Sequence, residues 1–270
     1  MRFKLLFFLI ILIPQVLSSQ TTYFVVDGQG LTIVTTASSQ GNAPHLVSGD
    51  LKYSGSGDVS LSGGGLYLDA NFDIGGASFN VESNTVIVGG NTSFSNGSLQ
   101  IGSGTFESVG SFDASNSTLT FTGSGRLKLG GAVTSFGSFT RGTGTVEYNG
   151  TNQTVLNLNS SSASCYNNLE ISGTGTKTLS GTSKVYGDLL LTSSDFNLNG
   201  KTLYLKENMS RTSGNLVASS SSNLTIDNSG THNICSFSDD DITIKTTSSG
   251  GSVTTTGDID CKRIYMLSGG

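Results

Sequence analysis

The chain has 270 residues, a formal net charge of −5, 37 glycines and two prolines. Charged residues make up 12% of it, against roughly 25% in ordinary soluble domains, and short bursts of Val, Ile, Phe, Tyr and Thr recur throughout. This composition excludes ordinary disorder and favours a folded β protein. The acidic balance argues against a nucleic-acid binder, and two histidines are too few for a multi-histidine metal site.

The first residues predict an export signal. Arg2 and Lys4 precede an apolar run over residues 5–13, which is followed by Pro14 and small residues up to position 20. Residues 1–19 therefore match a secretory signal peptide, and the run is too short for a membrane-spanning helix. We expect a secreted, extracellular or cell-surface protein without a transmembrane segment.

The rest of the chain repeats a short strand in which apolar residues alternate with polar ones. In the C-terminal half the strand cores recur about every 19 residues, beginning at Leu169 and Leu189, whereas those of the N-terminal half are spaced irregularly, so the repeat is interpreted as degenerate. A period near 20 predicts an all-β parallel β-helix (solenoid) with coils of about 19–20 residues. The alternative is an antiparallel sandwich or barrel, since Asn-Gly pairs such as Asn199-Gly200 also occur in hairpins. In a solenoid such a pair forms a corner with left-handed backbone.

Alternation within the strands predicts which side chains face the core. Leu189 and Leu191 should point inward and Leu190 outward. Outward positions exposed to water are expected to hold Glu170, Thr225 and Thr243, and three outward tyrosines, Tyr67, Tyr148 and Tyr204, are expected to offer aromatic platforms to glycans.

The two ends of the repeat region differ. Residues 20–58 fit the repeat poorly and are interpreted as an N-terminal cap that begins with a hairpin over residues 21–34, before degenerate repeats over residues 59–270. Residues 264–267 show no change of character, so the last coil is expected to offer an open strand edge to another chain.

Residues 136–205 carry the clearest motifs, which run GTGTVEYNGTNQT at 142–154, YNNLEISG at 166–173, KTLSG at 177–181, GDLLL at 187–191 and LNGKTL at 198–203. They resemble the repeats of large bacterial secreted adhesin-like proteins with right-handed β-helix stalks, similar in architecture to filamentous haemagglutinin. The resemblance covers about a quarter of the chain well. It implies a right-handed β-helix with an extracellular, non-enzymatic role and no cofactor, although this chain is short and lacks the sorting domain of those proteins.

Few residues suggest chemistry. Asp239, Asp240 and Asp241 form an acidic cluster that can hold calcium, but a solvated turn is the preferred interpretation. A polysaccharide lyase or hydrolase of the β-helix type needs paired carboxylates beside a base; Asp258 and Asp260 precede Lys262-Arg263, but alternation places neighbours on opposite faces. His45 is expected in a loop and His232 at a corner, both with structural roles. No catalytic residue is therefore assigned.

Two further patterns remain open. Thr-x-Thr motifs, which would support ice binding if they formed one array, occur at Thr120/Thr122, Thr143/Thr145, Thr174/Thr176/Thr178 and Thr254/Thr256, and their spacing does not follow one coil period. Cys235 and Cys261 are expected either to form a disulfide, with Cys165 unpaired, or to be buried as small apolar side chains like Cys165. The sequence thus predicts an exported structural or adhesive solenoid that contacts glycans, other surface proteins or, end to end, copies of itself.

Overall fold

The computed structural model describes backbone and side chains of residues 49–61, 65–159, 163–226, 230–247 and 252–266, and the backbone of residue 62 and of four further strands before residue 48. The chain divides into two compact units, unit 1 over Met1–Gly144 and unit 2 over Thr145–Gly270. The described residues are all-β.

Unit 1 contains these described strands: β1 Ile10–Leu12, β2 Tyr23–Val26, β3 Leu31–Val34, β4 His45–Val47, β5 Leu51–Ser54, β6 Val59–Ser62, β7 Leu66–Leu68, β8 Phe72–Gly75, β9 Ser78–Asn80, β10 Thr85–Val88, β11 Thr92–Ser95, β12 Ser98–Ile101, β13 Thr105–Ser108, β14 Phe112–Asp113, β15 Thr118–Phe121, β16 Arg126–Leu129, β17 Val133–Ser135 and β18 Ser138–Thr140. They form three parallel sheets: sheet A is β1-β3-β6-β9-β12-β15-β18, sheet B is β2-β5-β8-β11-β14-β17 and sheet C is β4-β7-β10-β13-β16. Each coil contributes one strand to each sheet in turn.

Unit 2 contains these described strands: β19 Thr145–Tyr148, β20 Gln153–Val155, β21 Asn168–Ile171, β22 Thr176–Leu179, β23 Ser183–Val185, β24 Leu189–Leu191, β25 Asp195–Asn197, β26 Thr202–Leu205, β27 Met209–Arg211, β28 Leu216–Val217, β29 Ser222–Ile226, β30 Thr231–Ile234, β31 Phe237–Thr246, β32 Ser252–Thr255 and β33 Ile259–Tyr265. Within this unit, sheet D is β19-β21-β24-β27-β30-β32, sheet E is β20-β22-β25-β28 and sheet F is β23-β26-β29-β31-β33.

The parallel β-solenoid predicted from the repeat is confirmed, with about ten turns in the two units together. Coils pair strand on strand in parallel, as in β10 with β13, where Thr85 lies opposite Thr105. The antiparallel alternative is therefore wrong. So is the hairpin over residues 21–34, because β2 pairs with β5 and β3 pairs with β6 in two different sheets, as the later coils do.

The repeat of unit 1 is more regular than the sequence suggested. Val86 lies opposite Leu66 in sheet C and Leu99 opposite Phe79 in sheet A, each 20 residues apart. The apparent irregularity arose because the strand cores compared along the chain belong to two sheets. In unit 2 the spacing is also 20 between Leu169 and Leu189, but it lengthens to 25 between Met209 and Ile234, where the connection is longer.

Side chains that point inward form the core of each unit. In unit 1 the core is aromatic: Phe106 lies 6.1 Å from Phe72 and 6.2 Å from Phe94 between ring centroids, and all three are at most 2% exposed. In unit 2 the core is mostly aliphatic, and Leu189 and Leu191 are fully buried while Leu190 is partly exposed. The predicted inward and outward register of β24 is confirmed.

Asparagine and aspartate stabilise one corner of successive coils. In unit 1 the Oδ1 atom of Asp50 accepts the backbone N–H of Asn71, Asn71 does the same for Asn91, and Asn91 for Ser111, each at 2.9 Å. These bonds satisfy amides that lie between the strand ladders. The same ladder in unit 2 is formed by Asn168, Asp188, Asn208 and Asn233.

The corner at Asn199-Gly200 has the left-handed backbone expected from its sequence. The φ angles are +50° at Asn199 and +71° at Gly200, which these two residue types adopt at the least cost. The Asn199 N–H donates to Oδ1 of Asn197, and the Gly200 N–H donates to Oγ of Ser222 in the next coil.

Candidate functional site

The candidate site is a row of outward side chains on sheet F, which we call the tyrosine–lysine face: Lys184, Tyr204, Thr225, Lys245 and Tyr265. Register brings these five residues from β23, β26, β29, β31 and β33 into one line across the sheet. Alternation explains their direction, because the flanking residues Leu203, Leu224 and Ile244 point into the core.

Part of this face forms a groove of about 420 Å³. Tyr204 and Tyr265 flank it, and Thr225, at 4% exposure, lies low between Tyr204 and the exposed Lys245. The remaining lining residues are Thr202, Thr246 and Thr247. The groove thus combines two aromatic rings, hydroxyl groups and one ammonium group.

The face is locally basic although the chain carries a net charge of −5. A second row of sheet F runs beside it through Thr202, Asn223, Thr243 and Arg263. The two rows together hold three basic residues and no acidic one. Arg263 Nη1 donates to the Tyr265 hydroxyl at 3.0 Å, and this bond lowers the pKa of Tyr265.

A cation–aromatic pair extends the same side of the unit. The Nζ atom of Lys206 lies 3.9 Å from the centroid of the Tyr186 ring. Such contacts hold an ammonium group over the electron-rich face of an aromatic ring.

Several residues predicted to face water are buried. Glu170, Thr225 and Thr243 occupy outward positions but are at most 9% exposed, because larger neighbours in adjacent strands cover them. The Glu170 carboxylate accepts a hydrogen bond from Thr192 Oγ1 at 2.8 Å. The expectation of solvent exposure was wrong for these three residues.

Tyr148 is also misassigned by the sequence-based expectation, whereas Tyr67 and Tyr204 are partly exposed as expected. Tyr148 is fully buried, because it lies two residues after the inward Val146 in β19. Its hydroxyl lies 3.1 Å from that of Tyr166, which donates to the Leu156 carbonyl at 2.7 Å. Burial raises the pKa of Tyr148 to about 12, so this pair is a structural element of the core.

The acidic cluster lies within β31 and not in a turn. The Asp239 carboxylate accepts the backbone N–H groups of Ala218 at 2.8 Å and Asp241 at 2.9 Å. No group of three or more His, Cys, Asp and Glu side chains in the described ranges is arranged to hold a metal ion. Asp239 therefore acts as a backbone acceptor between coils.

The structure brings Asp258 and Asp260 to one open groove of about 690 Å³ that Arg211 also lines. Arg211 Nη1 donates to Asn215 Oδ1 at 2.7 Å, and Asp260 Oδ2 accepts from Ser238 at 3.3 Å. The base beside the carboxylates is thus Arg211, 47 residues before Asp258, and sequence proximity gave no signal for it.

Neither histidine lies where the sequence suggested. His45 begins strand β4 instead of lying in a loop. His232 lies in β30 instead of at a corner, is 3% exposed, and its two ring nitrogens have no hydrogen-bond partner.

The Thr-x-Thr motifs do not form one array. Thr120 lies in sheet A, Thr176 and Thr178 lie in sheet E, and Thr254 lies in sheet D. The ice-binding hypothesis in its predicted form is therefore not supported by the geometry.

Cys165, Cys235 and Cys261 all belong to the described residues, and none of them forms a disulfide. Cys235 follows a strand of sheet D, whereas Cys261 lies in β33 opposite Asp239. Burial raises the pKa of both thiols.

We expect thiol titration of the unfolded chain to count three reactive groups. In the native protein only Cys261 should react readily, because Cys165 and Cys235 are buried. One reactive thiol in the unfolded chain under non-reducing conditions would instead establish the Cys235–Cys261 disulfide.

One residue that the sequence analysis did not single out is a buried lysine. Lys177 points inward in sheet E between Gln153 and Phe196 and is fully buried. Its Nζ atom donates to the carbonyls of Gly150 and Thr174, both at 2.9 Å, and to Ser194 Oγ at 3.3 Å. The alternation with Leu179 was the available signal. Burial lowers the pKa of Lys177 from 10.5 to about 8.

This lysine should make stability depend on pH. Between pH 8 and 10.5 the unfolded chain holds the Lys177 proton and the folded chain does not, so the folded state gains stability as pH rises. The free energy of unfolding of the wild type relative to Lys177→Met should increase by up to ~3 kcal/mol over this range. Urea unfolding at pH 7, 8.5 and 10 measures it, and the difference cancels contributions from other groups. A difference that stays constant with pH would contradict this role.

No protein-family model, curated protein or solved structure matches the chain. The adhesin-like resemblance is thus supported at the level of a β-helix repeat architecture. No helix long and apolar enough to cross a membrane occurs in the described part of the chain. The predicted signal peptide lies outside the described residues except for β1, whose backbone pairs with β3. It remains a prediction.

Proposed function

We propose that this chain is an exported, non-enzymatic solenoid that serves as a structural or adhesive element at a surface. The observation that carries the proposal is the outward face of sheet A. Hydroxyl and amide side chains form two uncharged rows in register over four coils there, Ser78-Ser98-Thr118-Ser138 and Asn80-Gln100-Thr120-Thr140. Such rows offer repeated hydrogen-bonding groups on a rigid backbone, as extended contact with a polymer or surface requires.

Export and surface contact are tested separately. The full chain, expressed in a bacterial host, should appear outside the cytoplasm with its N-terminus near residue 20, as determined by mass spectrometry. Labelled exported protein should be retained on surfaces coated with polysaccharide or cell envelope. An uncut cytoplasmic product, or no retention on any surface, would overturn the proposal.

A polysaccharide lyase or hydrolase is the second candidate, and the groove that contains Arg211, Asp258 and Asp260 favours it. Incubation of the exported protein with acidic polysaccharides should release no reducing ends if the chain is non-enzymatic. Release that is lost in Asp258→Asn and Asp260→Asn would replace the structural role with an enzymatic one.

The proposal includes end-to-end association through β33. In the described residues this strand pairs with β31 on one side. Ile264 continues the inward line of Ile244, yet it is 57% exposed while Ile244 is 5% exposed. An apolar side chain and an open strand edge suit pairing with a second copy. Light scattering should detect oligomers that Ile264→Lys weakens; a monomer at all concentrations would exclude this association.

A further inference from the structure

We infer that the tyrosine–lysine face binds a linear polysaccharide of uronic acids. The inference rests on the proposed surface function and specifies its ligand. The site is the groove between Tyr204 and Tyr265, with Lys245 and Thr225 between the two rings.

The geometry of the row suits a linear polymer. Neighbouring strands of a sheet are ~4.8 Å apart, so Tyr204 and Tyr265, three strands apart, are separated by about 14 Å along the stack. This distance exceeds the length of one sugar ring, so a chain laid along the row meets both tyrosines. Tyrosine provides an apolar ring face for the C–H groups of a sugar and a hydroxyl for its polar edge.

The charges select an acidic glycan. Lys245 is exposed between the two tyrosines, and Arg263 lies in the adjacent row. Arg263 uses one N–H group toward Tyr265, and a guanidinium group has five such donors, so others can meet a carboxylate. Because these two rows of sheet F contain no acidic residue, a uronate carboxylate meets no like charge in either row.

A nucleic acid also combines negative charge with flat rings. The chain as a whole is acidic at a net charge of −5, which repels a polymer with one phosphate per nucleotide more strongly than a uronate oligomer of the same length. The observations therefore favour the glycan, and the oligonucleotide is an arm of the test.

Calorimetric titration of the full chain tests the inference with three probes of similar length: an alginate oligosaccharide, a neutral dextran oligosaccharide and a thymidine oligonucleotide. The alginate probe should bind, more weakly as salt increases, and Tyr204→Ala and Lys245→Gln should each raise its Kd at least tenfold. Matched controls in unit 1, Tyr67→Ala and Lys52→Gln, should leave the Kd unchanged. Circular dichroism establishes that all four variants fold.

Each other outcome is decisive. Equal binding of dextran, tighter binding of the oligonucleotide, or unchanged affinity in both face variants would overturn the ligand assignment. If the Tyr204→Ala/Lys245→Gln double variant is still retained on coated surfaces while the wild type does not bind alginate, this inference fails and the proposed surface function stands. Loss of surface retention by the wild type itself would remove the proposed function.

Discussion

Replacing Leu189 with aspartate should unfold unit 2, whereas Leu190→Ser should leave its melting temperature nearly unchanged. Leu189 is fully buried between Leu169 and Met209 in the inward line of sheet D. The variant loses the packing of a core leucine and buries a carboxylate without a partner, which together cost more than about 4 kcal/mol. Leu190 points outward and is partly exposed, so its loss costs about 1 kcal/mol or less.

Thermal unfolding followed by far-ultraviolet circular dichroism measures both variants. The two substitutions lie one residue apart in the same strand, so each is the positional control for the other. Equal melting temperatures would contradict the register of β24.

The second large effect is expected in the aromatic core of unit 1. Phe106→Ala should destabilise this unit by ~3–5 kcal/mol, because it leaves a cavity that a closely stacked core cannot fill by collapse. The Phe106 ring is fully buried, and its centroid lies within 6.5 Å of those of four other phenylalanines, Phe72, Phe79, Phe94 and Phe112.

Ile87→Ser provides the matched control, since Ile87 lies on the adjacent strand of sheet C but occupies an outward, partly exposed position. It should cost about 1 kcal/mol or less. Urea unfolding midpoints compare the two variants. If Phe106→Ala lowers the midpoint no more than Ile87→Ser does, the aromatic stack does not stabilise unit 1 as described.

Local sequence pattern was sufficient for the class of fold. Alternation in Leu189-Leu190-Leu191 gave the correct inward and outward positions, and the spacing of 20 residues between Leu169 and Leu189 is the coil length. The corner at Asn199-Gly200 was predictable because few residues adopt positive φ at low cost. These features depend on a few consecutive residues, or on one repeat length, and need no knowledge of distant contacts.

The candidate site was only partly visible in the sequence. Tyr204 was predicted to face outward, but its neighbours in the row, Lys245 and Tyr265, are 41 and 61 residues later. Which residues share a row depends on the lengths of the connections between strands, since one residue more or less moves every later side chain to the other face. The extra residues between Met209 and Ile234 show that these lengths vary.

The sequence by itself determined that this chain is a β-solenoid with an alternating core, because strand periodicity and corner residues are local properties. Only the tertiary structure decided which strands stack in one sheet, since stacking is set by the total length of each coil. It also decided that Glu170 and Thr225 are covered at outward positions and that Lys177 is satisfied inside the core. Burial of a polar group depends on the neighbours that adjacent coils supply, and those neighbours are some twenty residues away in the chain.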